Sequence, residues 1–486
     1  MLNFDWVPQK PWVKHLANDV DYYQLFAQLR QLHTSSYLFE SLALPRHQDR
    51  FYSMGFDPKF TLTATGSLLK LRGDSQAIAD STGVANTGSV DLHTTPEKNA
   101  YTVLRDASYM SGFGTSHQGG LVGYFCHEAI NLIEPTLHLT EHQDFKLFQL
   151  GLYLDGLLFD STTQELTYYS YEPPQIREEK FAFMQTQIDI LNSKPKGYLI
   201  PHDLHKIKFL GYSQNEAEFI TAVESTQHKI ALGYSFQAEV GFKSLYNING
   251  DKFAVYDRLR QVNPSPYMFY VQFADIELLG ASPEILLSNQ QGQLLTTPAA
   301  GTIHRGRTAN EDALLARQLL KDPKEIAEHN MLVDLHRNDL ARVCLPGTVL
   351  VSDLMYLIKF SHVQHIVSNV IGYLQPQKNS FDALASLFPS GVVTGAPKIE
   401  TIKIIDANES LPRGPYGGVV GRVSLNGDAA FCLSIRSLFS AGDDCFVQTS
   451  AGVVYDSIPA KEFKEVKNKL AAMQQVLEEL GGRHEA

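Results

Sequence analysis

The sequence predicts an α+β protein in two lobes, and three observations point there. Short alternating segments crowd the first 190 residues, strand and helix candidates mix irregularly after residue 213, and a polar stretch with two prolines lies between them. At 486 residues the chain exceeds one core at roughly 150 residues per domain.

In chain order, KFTLTATGSLLKLRG and FQLGLYLDGLLFD alternate apolar and polar residues with Gly or Asp between runs, which predicts strands. Around 193 to 212 the pattern lapses, so the lobes are read as 1–195 and 213–475. In SQNEAEFITAVESTQHKIALG, Phe219 and Val223 begin an apolar recurrence at helical spacing. Beyond it, MFYVQFADIELLGA, CLSIRSLFSA and CFVQTSAGVVY read as strands, while EIAEHNMLVDLHRND and AKEFKEVKNKLAAMQQVLEEL read as helices. The order is not a regular βαβ series, and no internal repeat or low-complexity tract is visible.

Composition narrows the function. Lys plus Arg number 41 against 53 Asp plus Glu, and a net charge of -12 opposes nucleic acid or an anionic membrane as partner. Cys126, Cys344, Cys432 and Cys445 are far apart and suggest neither a disulfide framework nor a zinc site. With no basic leader and no long apolar run, a cytoplasmic protein is expected. SGVVTGAPK lacks the spacing of a phosphate loop, and GPYGGVVG runs into a strand pattern where a dinucleotide cradle needs a helix. Neither a G-x-S-x-G elbow nor an H-E-x-x-H helix is present. His362 and His365 in SHVQH are only a pair.

Two helix candidates each carry spaced carboxylates. Asp322-Pro323 suits a helix start, which sets Glu325 and Glu328 on one face. Pro459 opens the other helix, where Glu462, Glu465 and Lys469 line one face beside the apolar stripe Phe463, Val466 and Leu470. Such spacing is commonplace on solvated helices. Facing each other, however, the two pairs would suit Mg²⁺, a hard cation that takes one or two carboxylates and fills its octahedron with water and substrate oxygens. Both readings stand at this point.

Ten segments from about 230 to 470 resemble the chorismate-utilising enzymes, in the family's order. They are SFQAEVGF, NPSPYMFYVQF, LLGASPEILL, TPAAGTIHRG, EIAEHNMLVDLHRNDLARVC, SHVQHIVSNVIG, FPSGVVTGAPKIETIKIID, RGPYGGVVG, CLSIRSLF and VQTSAGVVYDSIPAKEFKEVKNK. YLFESLALPRHQDRFYSMGFDP and GGLVGYFCHEAI extend the resemblance toward the N-terminus. The resemblance implies antiparallel sheets packed together and flanked by helices, with chorismate and Mg²⁺ in a cleft of the C-terminal lobe. By similarity, Glu328 and Glu465 would ligate the metal with Glu325 and Glu462 close behind, and Lys469 would balance charge. Backbone N–H groups of Ser450, Ala451 and Gly452 would meet the ring carboxylate, Gly301 and Thr302 would line the ring, and Tyr416 and Arg436 would bind the enolpyruvyl carboxylate. Glu284 would protonate the departing ring hydroxyl, which needs a raised pKa, and His365 would assist loss of pyruvate.

Two positions discriminate within the family. Members that add water carry a lysine where this chain has Gln237, and many aminodeoxychorismate synthases carry a nucleophilic lysine where it has Ala300. Both favour direct ammonia attack and formation of anthranilate. Aminodeoxyisochorismate and aminodeoxychorismate synthesis are the rival activities, and a non-catalytic tryptophan-binding subunit is the rival class. The chain ends at LEELGGRHEA with no glutaminase module, so a separate glutamine amidotransferase subunit is expected to supply ammonia. Glu40, Ser41, Pro266, Tyr267 and Met268 resemble the family's tryptophan feedback pocket. Three features depart from the family pattern: Ser450 replaces a usual glycine, Val392 a usual hydroxyl residue, and AEVGFKSLY after Gln237 lacks an arginine-rich ending.

Overall fold

The computed structural model describes residues 2–43, 51–84, 88–107, 117–195, 197–360 and 363–481. Part of the YLFESLALPRHQDRFYSMGFDP motif, 44–50, and His362 lie outside the described residues.

Two 12-stranded sheets form the frame, and the pairings between their strands are antiparallel. Short connections make this possible: Ala274 and Asp275 alone join Tyr267–Phe273 to Ile276–Ser282, with Ala274 at φ +50°. Each sheet draws strands from both sides of the expected linker. In the first, Ser35–Glu40 pairs with Tyr267–Phe273 and places Glu40 opposite Met268. In the second, Gly120–Phe125 pairs with Val419–Val423.

The sheets pack face to face through an apolar layer. Tyr37, Phe269, Val271, Leu278 and Phe439 from one sheet meet Val122, Tyr124, Tyr153 and Val420 from the other. Helices cover the outer faces, so the α+β class read from the sequence holds. Among them, Pro459–Gly481 and Glu216–Ala231 lie on the first sheet and Pro323–Ala341 on the second. The stretch read as a linker ends in a strand, Leu204–Tyr212, paired with Gln237–Gly250. It is an edge strand, largely exposed, and Lys206 and Lys208 protect its free side. Its polar composition is why the sequence puts the lobe boundary there. Among the described residues no helix is long and apolar enough to cross a membrane.

The Pro459–Gly481 helix buries Val466, Leu470, Met473 and Leu477 at a helical repeat, against the strand Asp444–Val453 and its neighbours. Leu470 is fully buried. Leu470→Ala is expected to destabilise the protein by about 2–5 kcal/mol, read as a lower urea midpoint; an unchanged midpoint would contradict this packing.

Candidate active site

Each acidic helix is held in place by polar anchors on its buried face. On Pro323–Ala341, Asp322 caps the start by accepting from Lys324 N at 2.9 Å, with proline in the first turn. His329, fully buried, reaches the Ala300 carbonyl at 3.1 Å and Ser368 Oγ at 2.7 Å, and His336 meets Thr296 Oγ1 at 2.8 Å. These contacts direct Glu325 and Glu328 toward the strands Ala299–His304 and Gln237–Gly250. Thr302 N donates to Glu325 Oε2 at 3.3 Å, and Gln237 Nε2 donates to Glu328 Oε1 at 2.9 Å. On Pro459–Gly481, Lys469 Nζ donates to the Ser450 carbonyl at 2.9 Å and pairs with Glu465 at 2.8 Å. One lysine thus ties the helix to the strand and partly neutralises its acids.

The two acidic faces sense each other. Burial raises the pKa of Glu325, Glu328 and Glu462, and a neighbouring carboxylate adds to each: Glu465 acts on Glu325 and Glu462, and Glu325 acts on Glu328. Among the described residues no three acidic, histidine or cysteine side chains form a preformed metal cage. The donor chemistry nevertheless fits a hard dication, since repelling carboxylates gain from one and Mg²⁺ takes only one or two protein carboxylates.

Beside this cluster lie the residues expected to face substrate. Glu284 is 1% exposed, its Oε1 lacks a hydrogen-bond partner among the described residues, and burial holds its carboxyl well above the usual range. That shift favours the protonated form. His365 hydrogen-bonds Thr302 Oγ1 at 2.8 Å through Nδ1, and burial together with Arg436 pushes its pKa down to about 3, so the imidazole is neutral. Gly301, at φ +86°, adopts a conformation that disfavours a side chain, and a Cβ there would crowd Ile366 at 2.9 Å and Glu325 Oε2 at 3.2 Å. Arg436 stands at φ +54°, uncommon for a non-glycine residue. Burial lowers its pKa, and Tyr416, not a carboxylate, is the neighbour that favours its charge. Such a cation calls for an anionic ligand.

Sequence reasoning singled out these residues but missed Glu239 as part of the site. It is buried, and its Oε2 accepts from Ser450 Oγ at 2.6 Å. The available signal was alternation: in SFQAEVGF, Gln237 and Glu239 share one face of an otherwise apolar strand. The Ser450 hydroxyl turns to Tyr416 and Glu239, and Val392 packs against the apolar core. Glu40, Ser41, Pro266, Tyr267 and Met268 line one cavity between the sheets. There Glu40 is fully engaged, accepting from Tyr22, Tyr256 and Arg260, whereas Ser41 Oγ is buried without a partner among the described residues.

Face-to-face antiparallel sheets, a partly buried arginine with no carboxylate partner among the described residues and a carboxylate cluster describe a site suited to a small anionic ligand. A sequence profile of the chorismate binding enzymes matches residues 48–475, and the chain belongs to that family. It is 37% identical to anthranilate synthase component 1 of Leptospira biflexa, over 97% of each chain. It is 44% identical to aminodeoxychorismate synthase component 1 of Bacillus subtilis, over 55% of this chain and 54% of that one. The crystal structure of anthranilate synthase component I from Streptococcus pneumoniae superposes with a TM-score of 0.76 at 28% identity, covering 89% of this chain and 94% of that one.

The anchor His336 makes a pH prediction. Burial, first, and Lys398 depress its pKa from 6.5 to about 3. Between those values the unfolded chain binds the proton and the folded one does not, so the folded state loses stability as pH falls below 6.5. From pH 7 to 5 this one group should cost about 2 kcal/mol. The loss measured by urea denaturation should shrink in His336→Asn; an equal loss in both proteins would show that His336 titrates normally.

Proposed function

We propose that this protein converts chorismate and ammonia to anthranilate and pyruvate, with Mg²⁺, as the aminating component of an anthranilate synthase in tryptophan biosynthesis. The observation that carries the reading is Arg436, a partly buried cation without a carboxylate partner among the described residues, set beside a neutral histidine. Full-length similarity to anthranilate synthase component 1 supports it.

Each step uses a residue in the state its surroundings impose. Arg436, with Tyr416 beside it, would take the enolpyruvyl carboxylate, and the backbone N–H groups of Ser450–Gly452 the ring carboxylate. Glu328 and Glu465, backed by Glu325 and Glu462, would hold Mg²⁺, which supplies positive charge to that ring carboxylate. Glu284, whose carboxyl burial biases toward the protonated form, would donate to the departing ring hydroxyl, which leaves as water while ammonia adds to the ring. His365, neutral, assists removal of the ring proton and loss of the enolpyruvyl group, which becomes pyruvate on protonation.

Two identities favour ammonia over competing chemistry. Gln237 donates to Glu328 and has no basic nitrogen with which to activate water. Ala300 lacks a nucleophile, which disfavours the covalent route of the aminodeoxychorismate synthases. A glutamine amidotransferase subunit would supply ammonia in the cell, and the cavity lined by Glu40, Ser41, Pro266, Tyr267 and Met268 would bind tryptophan as inhibitor.

Purified protein with chorismate, Mg²⁺ and ammonium at alkaline pH is expected to release anthranilate and pyruvate, and chelation of Mg²⁺ to abolish both. Accumulation of a non-fluorescent amino adduct would reassign the product to aminodeoxyisochorismate. Glu284→Gln should lower kcat by about 10²–10⁴ with KM for chorismate little changed; normal turnover would remove Glu284 from the mechanism. Ser41→Arg should abolish tryptophan inhibition without loss of turnover, and retained inhibition would refute the pocket.

A further inference from the structure

A hydrogen-bonded chain joins the two ends of the candidate site. Tyr416 OH lies 2.9 Å from Ser450 Oγ, and Ser450 Oγ lies 2.6 Å from Glu239 Oε2. On the far side, Gln237 Nε2 is 3.4 Å from Glu239 Oε1 and 2.9 Å from Glu328 Oε1. Glycine is required at 452 for this arrangement, because a Cβ there would come within 2.5 Å of Gln237 Nε2 and 2.8 Å of Glu239 Oε1.

The donors and acceptors along the chain follow from counting protons with Glu239 as an acceptor carboxylate. An amide nitrogen has two hydrogens, and Gln237 aims them at two carboxylates, so Glu328 and Glu239 both act as acceptors. Charges reach Glu239 from every element around it. Burial raises the Glu239 pKa most, and Glu328 on Pro323–Ala341 and Glu465 on Pro459–Gly481 add to it, while Lys469 on the latter helix and the Ser450 hydroxyl favour the carboxylate. Arg413 donates to the Glu239 carbonyl at 2.6 Å. Ser450 has a single proton, and at 2.6 Å from a carboxylate oxygen that proton belongs to the Glu239 bond. Ser450 can then only accept from Tyr416. The phenol has one proton too, retained at working pH because burial pushes its pKa up to about 12.

We propose that Glu239 is a positioning residue that acts through Ser450 to turn the Tyr416 proton away from the substrate cleft, so that Tyr416 presents an acceptor there and Arg436 alone carries the enolpyruvyl carboxylate. The inference rests on the substrate reading above and refines it. A residue with a free phenolic proton would donate to that carboxylate; here the proton is committed to the protein interior. Where glycine stands at position 450, no such commitment arises.

The test is a double-mutant cycle on chorismate binding, measured by calorimetry with Mg²⁺ and without ammonium, and paired with KM and kcat in the ammonium assay. Tyr416→Phe in the wild-type background should change the Kd less than about twofold, because it removes only lone pairs from the cleft. Ser450→Ala frees the phenolic proton and should tighten binding by about threefold to tenfold, with KM following. Adding Tyr416→Phe to Ser450→Ala should reverse that gain. Glu239→Val should reproduce the Ser450→Ala effect, and the serine and tyrosine variants decide the matter if it fails to fold. Equal weakening by Tyr416→Phe in both backgrounds would overturn the inference, since the phenol would already donate to substrate. Absence of chorismate binding by the wild-type protein would instead overturn the substrate reading, and the inference with it.

Discussion

Carboxylates brought together with too few counter-charges are the constraint on which the cleft depends. Glu239, Glu325, Glu328, Glu462 and Glu465 converge from one strand and two helices, and Lys469 is the cation bonded among them. Such a group is unfavourable unless its members accept hydrogen bonds or share a cation. Each contact described is of that kind: the Thr302 N–H, the Gln237 amide, the Ser450 hydroxyl and the Lys469 ammonium all point at carboxylate oxygens. The residual repulsion leaves these acids suited to a dication.

The frame makes that concentration of charge mechanically affordable. Both acidic helices lie on sheets whose strands come from distant parts of the chain, so neither helix can shift without disturbing a packed layer. The buried histidines do similar work with neutral groups. His329 and His336 are kept uncharged by burial and can bridge helix to strand without adding charge to the interior.

The same sheets tie the candidate regulatory cavity to the part of the chain that carries the candidate site. Glu40 comes from the N-terminal part of the chain, yet it pairs with Met268 and is held by Arg260 and Tyr256 from the C-terminal part. The strand Tyr267–Phe273 continues through Ile276–Ser282 to Glu284, so one hairpin runs from that cavity to the candidate acid.

Local patterns made much of this legible. Alternation marked the strands, Asp322-Pro323 and Pro459 marked the helix starts, and Glu325, Glu328, Glu462 and Glu465 announced their faces by spacing alone, because side-chain direction repeats every two or 3.6 residues. The motif order carried the family. Spacing could not reveal which strands pair across 200 residues, and so the edge strand Leu204–Tyr212 read as a linker. Nor could it reveal that Arg436 has no carboxylate partner among the described residues, that Glu40 is already paired with Arg260, or that Ser450 joins Tyr416 to Glu239. Those properties belong to pairs of residues remote in sequence, and only folding fixes the distance and burial that decide where a proton or a charge resides.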